Sequence, residues 1–179
     1  LMTDAQIYRL VKQFRNAIEN ARDDDKFLND DFNDFPKKCC GDTSCLLAEY
    51  LRSEGQESVY VWGEDYTGQT HAWLVVNDKR IKKPTPTCID YPDDIRNILN
   101  SYSNGSYNGP ITVANYEESD ISDGLILDIT ADQFGEEPIY VDYISDFYRR
   151  FEFVSANDFT GLGSIRLINL YQTIYQYIQ

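Results

Sequence analysis

The sequence predicts an α+β fold in which helices flank a mostly antiparallel sheet. Apolar residues recur at helical spacing near both ends of the chain, whereas the middle holds short runs rich in Val, Ile, Tyr and Trp that are typical of strands. Two of these runs, 58–62 and 71–76, are joined by a turn-prone segment, which indicates an antiparallel pair. The length of 179 residues suits a single domain over 1–179 with one hydrophobic core.

The N-terminal helix is predicted to begin after Thr3. Gln6 follows at the spacing of a capping box, in which the two side chains bond each other's backbone amides. A stripe of apolar residues then follows at helical spacing, and the helix should end in the acidic stretch after Arg22. Residues 26–38, which include Pro36, are predicted to be a loop.

A second helix is predicted over 40–53, with Gly55 as its stop signal. Its buried face should carry Leu46, Leu47, Tyr50 and Leu51. The remaining expected strands are 80–81, 111–113, 125–129 and 139–141, and the remaining helical segments are 93–102, 145–151 and 162–178. This order of elements is the basis for the predicted α+β class.

The net charge of −14 indicates which partners to expect. Nucleic acids and anionic membrane surfaces bind clustered Lys and Arg, so we expect neither as a partner. A basic protein partner is compatible with this charge, as is a simple contribution to solubility. No apolar run reaches the roughly 20 residues that span a bilayer, and no leader pattern opens the sequence, so we expect a cytoplasmic protein.

The chain has four cysteines, and three of them, Cys39, Cys40 and Cys45, lie close together. Cys88 is distant, and the chain has one histidine, so the paired spacings of a zinc site are missing. We therefore expect no metal and no cofactor. In a reducing compartment the cysteines should be free thiols rather than disulfides.

One of these thiols is placed to act as a nucleophile. Cys40 stands where the second helix is predicted to begin, and the unpaired amides of a helix N-terminus favour the negative charge of a thiolate. The same amides can stabilise an oxyanion on an attacked carbonyl. Cys39 precedes the helix in the loop, and Cys45 lies well inside it, where thiols are usually inert.

A cysteine nucleophile needs a base, and His71 is the only imidazole in the chain. It opens a predicted strand, and Asp128 closes a later one. A carboxylate beside the imidazole would hold its tautomer and stabilise the imidazolium. Asp132 is the alternative third residue, and only one of the two carboxylates can reach His71.

The segments Cys40-Gly41-Asp42, His71-Ala72-Trp73 and Asp128-Ile129-Thr130 resemble, in order and position, the transglutaminase-like branch of the papain-like superfamily. The resemblance covers about 35–142, with the terminal helices outside it. The stretch 128–134 is also similar to a segment in small bacterial proteins of this group. The doubled cysteine, Asp42 and the stretch Gly124-Leu-Ile-Leu in place of a Gly-x-Trp approach depart from the usual pattern.

The resemblance implies acyl transfer through a thioester, with Cys40 as nucleophile, His71 as base and Asp128 as the orienting group. A protein or peptide amide would be the substrate, and the activity would be that of a protease, amidase, deamidase or transglutaminase. We expect Gly41, Asp42 and Trp73 to contact the substrate. Trp73, on the same strand face as His71, could equally be a core aromatic residue.

Two other interpretations stay open from the sequence. The first is a binding or scaffold module on the same fold, in which the three residues perform no reaction. The second is a toxin or effector domain that applies the same chemistry to one specific protein. The distance between the Cys40 sulfur and the His71 nitrogens should separate the scaffold from the enzyme.

Overall fold

The structure is a computed structural model that describes residues 2–76, 87–89, 111–113 and 124–178. The helices are α1 (Asp4–Asp23), α2 (Cys40–Ser53), α3 (Asp146–Arg149) and α4 (Ile165–Tyr175), with 3₁₀ helices at Asp31–Asp34 and Ala131–Phe134. The strands are β1 (Val59–Asp65), β2 (Thr70–Val76), β3 (Thr87–Ile89), β4 (Ile111–Val113), β5 (Leu125–Asp128), β6 (Tyr140–Asp142) and β7 (Phe151–Asp158).

Five of these strands form one antiparallel sheet in the order β6-β5-β2-β1-β7, and β3 and β4 form a separate two-stranded ladder. The central strand β2 carries His71, which lies opposite Gly63 of β1. On its other side, β2 pairs with β5, with Leu74 opposite Leu127. Asp128 is the next residue of β5, so the sheet brings its carboxylate towards His71 from the adjacent strand.

The helices cover one face of this sheet. Alternate residues of a strand point to opposite faces, and Leu74 and Leu127 point to the face that packs against α1, α2 and α4. The ring of Phe14 on α1 stacks on Tyr50 of α2, with ring centroids 5.2 Å apart. This apolar layer holds α2, and with it Cys40, against the sheet.

An aromatic layer covers the opposite face. Trp73 of β2 packs there against Tyr148 and Phe151, with ring centroids 5.2 and 5.5 Å away. Gly63 makes this packing possible, because a Cβ at that position would lie only 2.7 Å from the Cβ of Phe151. The His71 imidazole lies within this layer.

The structure confirms the predicted α+β class, with helices before the antiparallel sheet and a closing helix after it. It also confirms the capping box of Thr3 and Gln6 and the bounds of the second helix. The predicted 26–38 loop contains a short 3₁₀ helix, and β1 runs further than 58–62, as far as Asp65. The edge strand β7 was not predicted, and the expected elements at 80–81 and 93–102 lie outside the described residues.

Candidate active site

Cys40 is the first residue of α2, as its sequence context predicts. The residue before it, Cys39, is the N-cap and makes no side-chain capping hydrogen bond. The first amides of α2 therefore have no side-chain cap, and they can favour negative charge beside the Cys40 sulfur. Cys40 is also only partly buried, so its thiol is not enclosed by the core.

The neighbouring thiols have different surroundings, although all three cysteines are free. Burial raises the pKa of Cys39 to about 12, even though Thr43 Oγ1 donates a hydrogen bond to its sulfur. Burial, together with the charge of Asp42, raises the pKa of Cys45 to about 11. Both side chains are protonated at neutral pH and are poor nucleophiles.

His71 and Asp128 form a buried pair. His71 Nε2 donates to Asp128 Oδ2 at 2.5 Å, and the relative exposures of the two residues are 0% and 2%. The other carboxylate oxygen, Oδ1, accepts from the backbone amide of Thr130 at 2.8 Å and from its hydroxyl at 3.0 Å. The carboxylate is thus fixed in position and orients the imidazole.

The second nitrogen of the imidazole, Nδ1, is buried and makes no hydrogen bond of regular geometry among the described residues. Burial lowers the pKa of His71, but its interactions with Asp128 and with the Cys40 thiol outweigh burial and raise the pKa to about 9. Since Nε2 is bonded to Asp128, Nδ1 is the nitrogen left for the Cys40 sulfur. The side chains of Cys40, His71 and Asp128 therefore meet in one place.

The choice between the two candidate carboxylates is resolved by the chain after β5. The strand ends at Asp128, and the backbone turns into a 3₁₀ helix that carries Asp132 away from His71. Asp132 instead forms a two-point ion pair with Arg15 of α1, with N–O distances of 3.1 and 2.7 Å. Asp128 is the carboxylate that bonds the imidazole.

Trp73 lies behind the imidazole rather than at an open surface. It is 4% exposed, and its ring centroid is 5.8 Å from that of His71. In the described structure it is a core aromatic residue that contacts the base. Of the two roles expected from the sequence, substrate contact and core packing, this position matches core packing.

Gly41 and Asp42 lie in the first turn of α2, next to Cys40. A Cβ on Gly41 would lie 3.2 Å from the hydroxyl of Tyr60, so the glycine permits a close approach between helix and sheet. Asp42 accepts a hydrogen bond from Arg166 of α4. Arg166 also binds both carboxylate oxygens of Asp30 at 2.7 Å, so this ion-pair cluster ties the start of α2 to the closing helix.

Aromatic rings surround His71, and sequence reasoning did not identify them. Phe134, Phe147 and Phe151 have ring centroids 4.9, 5.8 and 5.8 Å from the imidazole. The guanidinium of Arg150 lies over the same three rings, at 5.4, 4.5 and 5.0 Å from their centroids. These contacts exclude water from the His71–Asp128 hydrogen bond and so strengthen it.

Two further residues that hold the pair were also missed. Tyr148 Oη donates to Asp128 Oδ2 at 3.0 Å, and Arg15 Nη1 donates to the backbone oxygen of Ile129 at 2.7 Å. Neither side chain carries a local pattern that marks it, because each reaches the site only through the tertiary fold. Sequence analysis noted Thr130 as the last residue of the Asp-x-Thr motif, but it did not predict the two hydrogen bonds that Thr130 donates to Asp128.

No three His, Cys, Asp or Glu side chains in the described ranges are grouped so that they could hold a metal ion. Every helix in the same ranges is too short or too polar to traverse a bilayer. Comparisons of the chain with known protein families, with curated proteins and with solved structures found no match.

Proposed function

We propose that the protein is a cysteine-dependent enzyme that transfers the acyl group of an amide substrate through a thioester. One observation carries the proposal: the buried His71 imidazole is bonded to Asp128 through Nε2 and also interacts with the Cys40 thiol at the start of α2. A nucleophile, a base and an orienting carboxylate in contact are the elements that such a reaction requires.

In the first half of the reaction, the raised pKa of His71 places the proton of the Cys40 thiol on Nδ1, and the sulfur attacks the substrate carbonyl carbon. A C–S bond forms, and the oxyanion faces the amides of the first turn of α2. The C–N bond of the amide then breaks, and the imidazolium returns its proton to the leaving nitrogen. The acyl group is left on Cys40 as a thioester.

In the second half, water or an amine attacks the thioester carbon and gives its proton to His71. The C–S bond breaks, and the thiol is restored when the sulfur takes up this proton. Water as acceptor makes the enzyme a protease, amidase or deamidase, and an amine makes it a transglutaminase. The resemblance of the three segments to transglutaminase-like proteins supports a protein or peptide amide as the acyl donor.

The three free cysteines among the described residues fit a reducing compartment, and we place the activity in the cytoplasm. Their free state matters to the proposal, because the nucleophile must be a thiol and not part of a disulfide. The closely spaced Cys39 and Cys45 do not compete with Cys40, since burial keeps both protonated.

An activated ester tests the proposal without knowledge of the natural substrate. The protein is mixed with p-nitrophenyl acetate at neutral pH, and released p-nitrophenol and protein mass are followed over time. We expect a burst of p-nitrophenol and the mass gain of one acetyl group on the Cys40 peptide. The Cys40→Ala variant should show neither, whereas Cys45→Ala should retain both.

The burial of His71 is the observation that favours the rival interpretation, a scaffold in which the pair only holds the sheet together. Under that interpretation, acetylation of Cys40 would be as slow as that of an unstructured cysteine peptide and insensitive to His71. An acetylation rate for the folded protein that is equal in the wild type and in His71→Ala would therefore overturn the proposed function.

A further inference from the structure

We propose that Tyr148 is a positioning residue for the reaction, acting through Asp128 on the base His71. This inference rests on the proposed function, because Tyr148 would hold the Asp128 carboxylate, which in turn orients the His71 imidazole.

Both oxygens of Asp128 have two donors each in the described structure. Oδ1 accepts the two bonds from Thr130, and Oδ2 accepts one from His71 Nε2 and one from Tyr148 Oη. Thr130 follows Asp128 closely in the chain, so its bonds hold the carboxylate relative to the strand end. Apart from His71 itself, Tyr148 is the one donor to Oδ2 among the described residues, and it reaches this oxygen from a separate element, α3.

The phenol ring of Tyr148 is itself held in place. It is 2% exposed and packs against Trp73 at 5.2 Å, Tyr140 at 4.9 Å and Phe147 at 4.8 Å between ring centroids. A ring fixed on three sides fixes its hydroxyl, which gives the bond to Oδ2 a defined direction. The carboxylate can then rotate only if this bond is broken.

Electrostatics make Tyr148 a permanent donor. Burial and the charge of Asp128 raise its pKa far above the ordinary value, so the hydroxyl keeps its proton. The titratable and charged groups around this arrangement are Cys40 on the side of the imidazole, Glu136 and Tyr140 near the phenol, and Arg150 over the aromatic rings. The phenol disperses part of the Asp128 charge that would otherwise act on the imidazolium.

Two consequences follow for a Tyr148→Phe variant, which keeps the ring and removes the hydroxyl. The carboxylate regains rotational freedom, so fewer molecules hold the imidazole in the reactive direction, and acetylation of Cys40 should slow by about tenfold. Oδ2 also loses a competing donor, so it attracts the imidazolium more strongly. The pKa of His71 should therefore rise by about half a unit.

Because His71 is the only histidine in the chain, its titration can be read without ambiguity by NMR of protein labelled in histidine. The variants are Tyr148→Phe and a matched control, Tyr140→Phe. The Tyr140 ring contacts Tyr148, but its hydroxyl donates to the backbone oxygen of Tyr143 instead of Asp128. Acetylation by p-nitrophenyl acetate and the His71 titration are measured for both, alone and combined with Asp128→Asn.

We expect slower acetylation and a raised pKa of His71 in Tyr148→Phe, no change in Tyr140→Phe, and no further loss when Tyr148→Phe is added to Asp128→Asn. Equal behaviour of the two tyrosine variants, or full additivity with Asp128→Asn, would overturn the inference while leaving the proposed function in place. Failure of the proposed function is seen separately, in a wild-type rate that does not depend on His71.

Discussion

Two aspartates, Asp128 and Asp132, lie on either side of a single turn and have opposite surroundings. Asp128 is buried and bonds an imidazole that also interacts with the Cys40 thiol. Asp132 is half-buried and bonds the guanidinium of Arg15, which also contacts Glu19. The first carboxylate has a partner that can gain and lose a proton, with a pKa raised to about 9, and the second has a partner that stays charged.

The Arg15–Asp132 pair helps to hold the His71–Asp128 pair in place. Arg15 Nη1 donates to the backbone oxygens of Ile129 and Pro138, at 2.7 and 2.6 Å, in addition to its bonds with Asp132. Ile129 follows Asp128 directly in the chain. Helix α1 therefore fixes the backbone just after the Asp128 carboxylate, and the two pairs should respond differently to mutation.

The largest difference in the acetylation rate of Cys40 is expected between the variants Asp128→Asn and Asp132→Asn. Asparagine at 128 removes the charge that stabilises the imidazolium and can reverse the hydrogen bond to Nε2, so acetylation of Cys40 should slow by about 10³-fold or more. Asparagine at 132 should leave the rate per folded molecule within about threefold of wild type. Burst kinetics with p-nitrophenyl acetate measure both, and equal losses would contradict the division of roles.

Removing Arg15 should mainly lower the stability of the fold rather than the acetylation rate. In Arg15→Met, the half-buried Asp132 carboxylate and two backbone oxygens lose their donor, which should lower the free energy of unfolding by about 3 kcal/mol. Acetylation of the molecules that are still folded should slow far less than in Asp128→Asn, because the bonds from Thr130 and Tyr148 still hold the Asp128 carboxylate. Urea unfolding at neutral pH measures the stability, with Arg52→Met, which breaks an exposed ion pair with Glu49, as the control.

The proton on His71 makes a distinctive contribution to stability. Its pKa is raised from 6.5 to about 9 in the folded protein, so the contribution is fully present below pH 6.5 and is lost as the pH rises through about 9. The free energy of unfolding should fall by about 1 to 3 kcal/mol over this interval. Urea unfolding at several pH values should show this decline in the wild type and a smaller one in His71→Gln.

The smallest effect is expected from Thr130→Val. This change removes the hydroxyl bond to Asp128 Oδ1 and retains the backbone amide bond to the same oxygen. The loss should be about 1 kcal/mol in the free energy of unfolding, with acetylation slowed less than in Tyr148→Phe. A larger kinetic loss in Thr130→Val than in Tyr148→Phe would show that Oδ1, and not Oδ2, governs the orientation of the base.

The parts of this arrangement that depend on local pattern could be predicted from the sequence. The capping box at Thr3 and Gln6 and the placement of Cys40 at the start of α2 are set by residues close together in the chain. Cys40, His71 and Asp128 were selected as candidates because each lies at a recognisable point of a helix or strand. The α+β class followed from the same periodicities.

The remaining features depend on contacts between distant residues. Asp128 and Asp132 could not be separated by spacing, because the choice depends on the turn after β5 and on Arg15, which lies 117 positions before Asp132. Tyr148 belongs to a helix of a single turn, and its bond to Asp128 exists only because α3 packs on the aromatic layer. Trp73 could not be assigned to core or surface until the rings covering it were known.

The most direct test of the proposed role of Cys40 is alkylation of Cys39, Cys40 and Cys45 by iodoacetamide at neutral pH, followed by peptide mass spectrometry. We expect that Cys40 is modified well before Cys39 and Cys45, and that Asp128→Asn and His71→Ala slow Cys40 selectively while Asp132→Asn does not. Modification of Cys39 or Cys45 as fast as Cys40, or a Cys40 rate that is unchanged by His71→Ala, would contradict it.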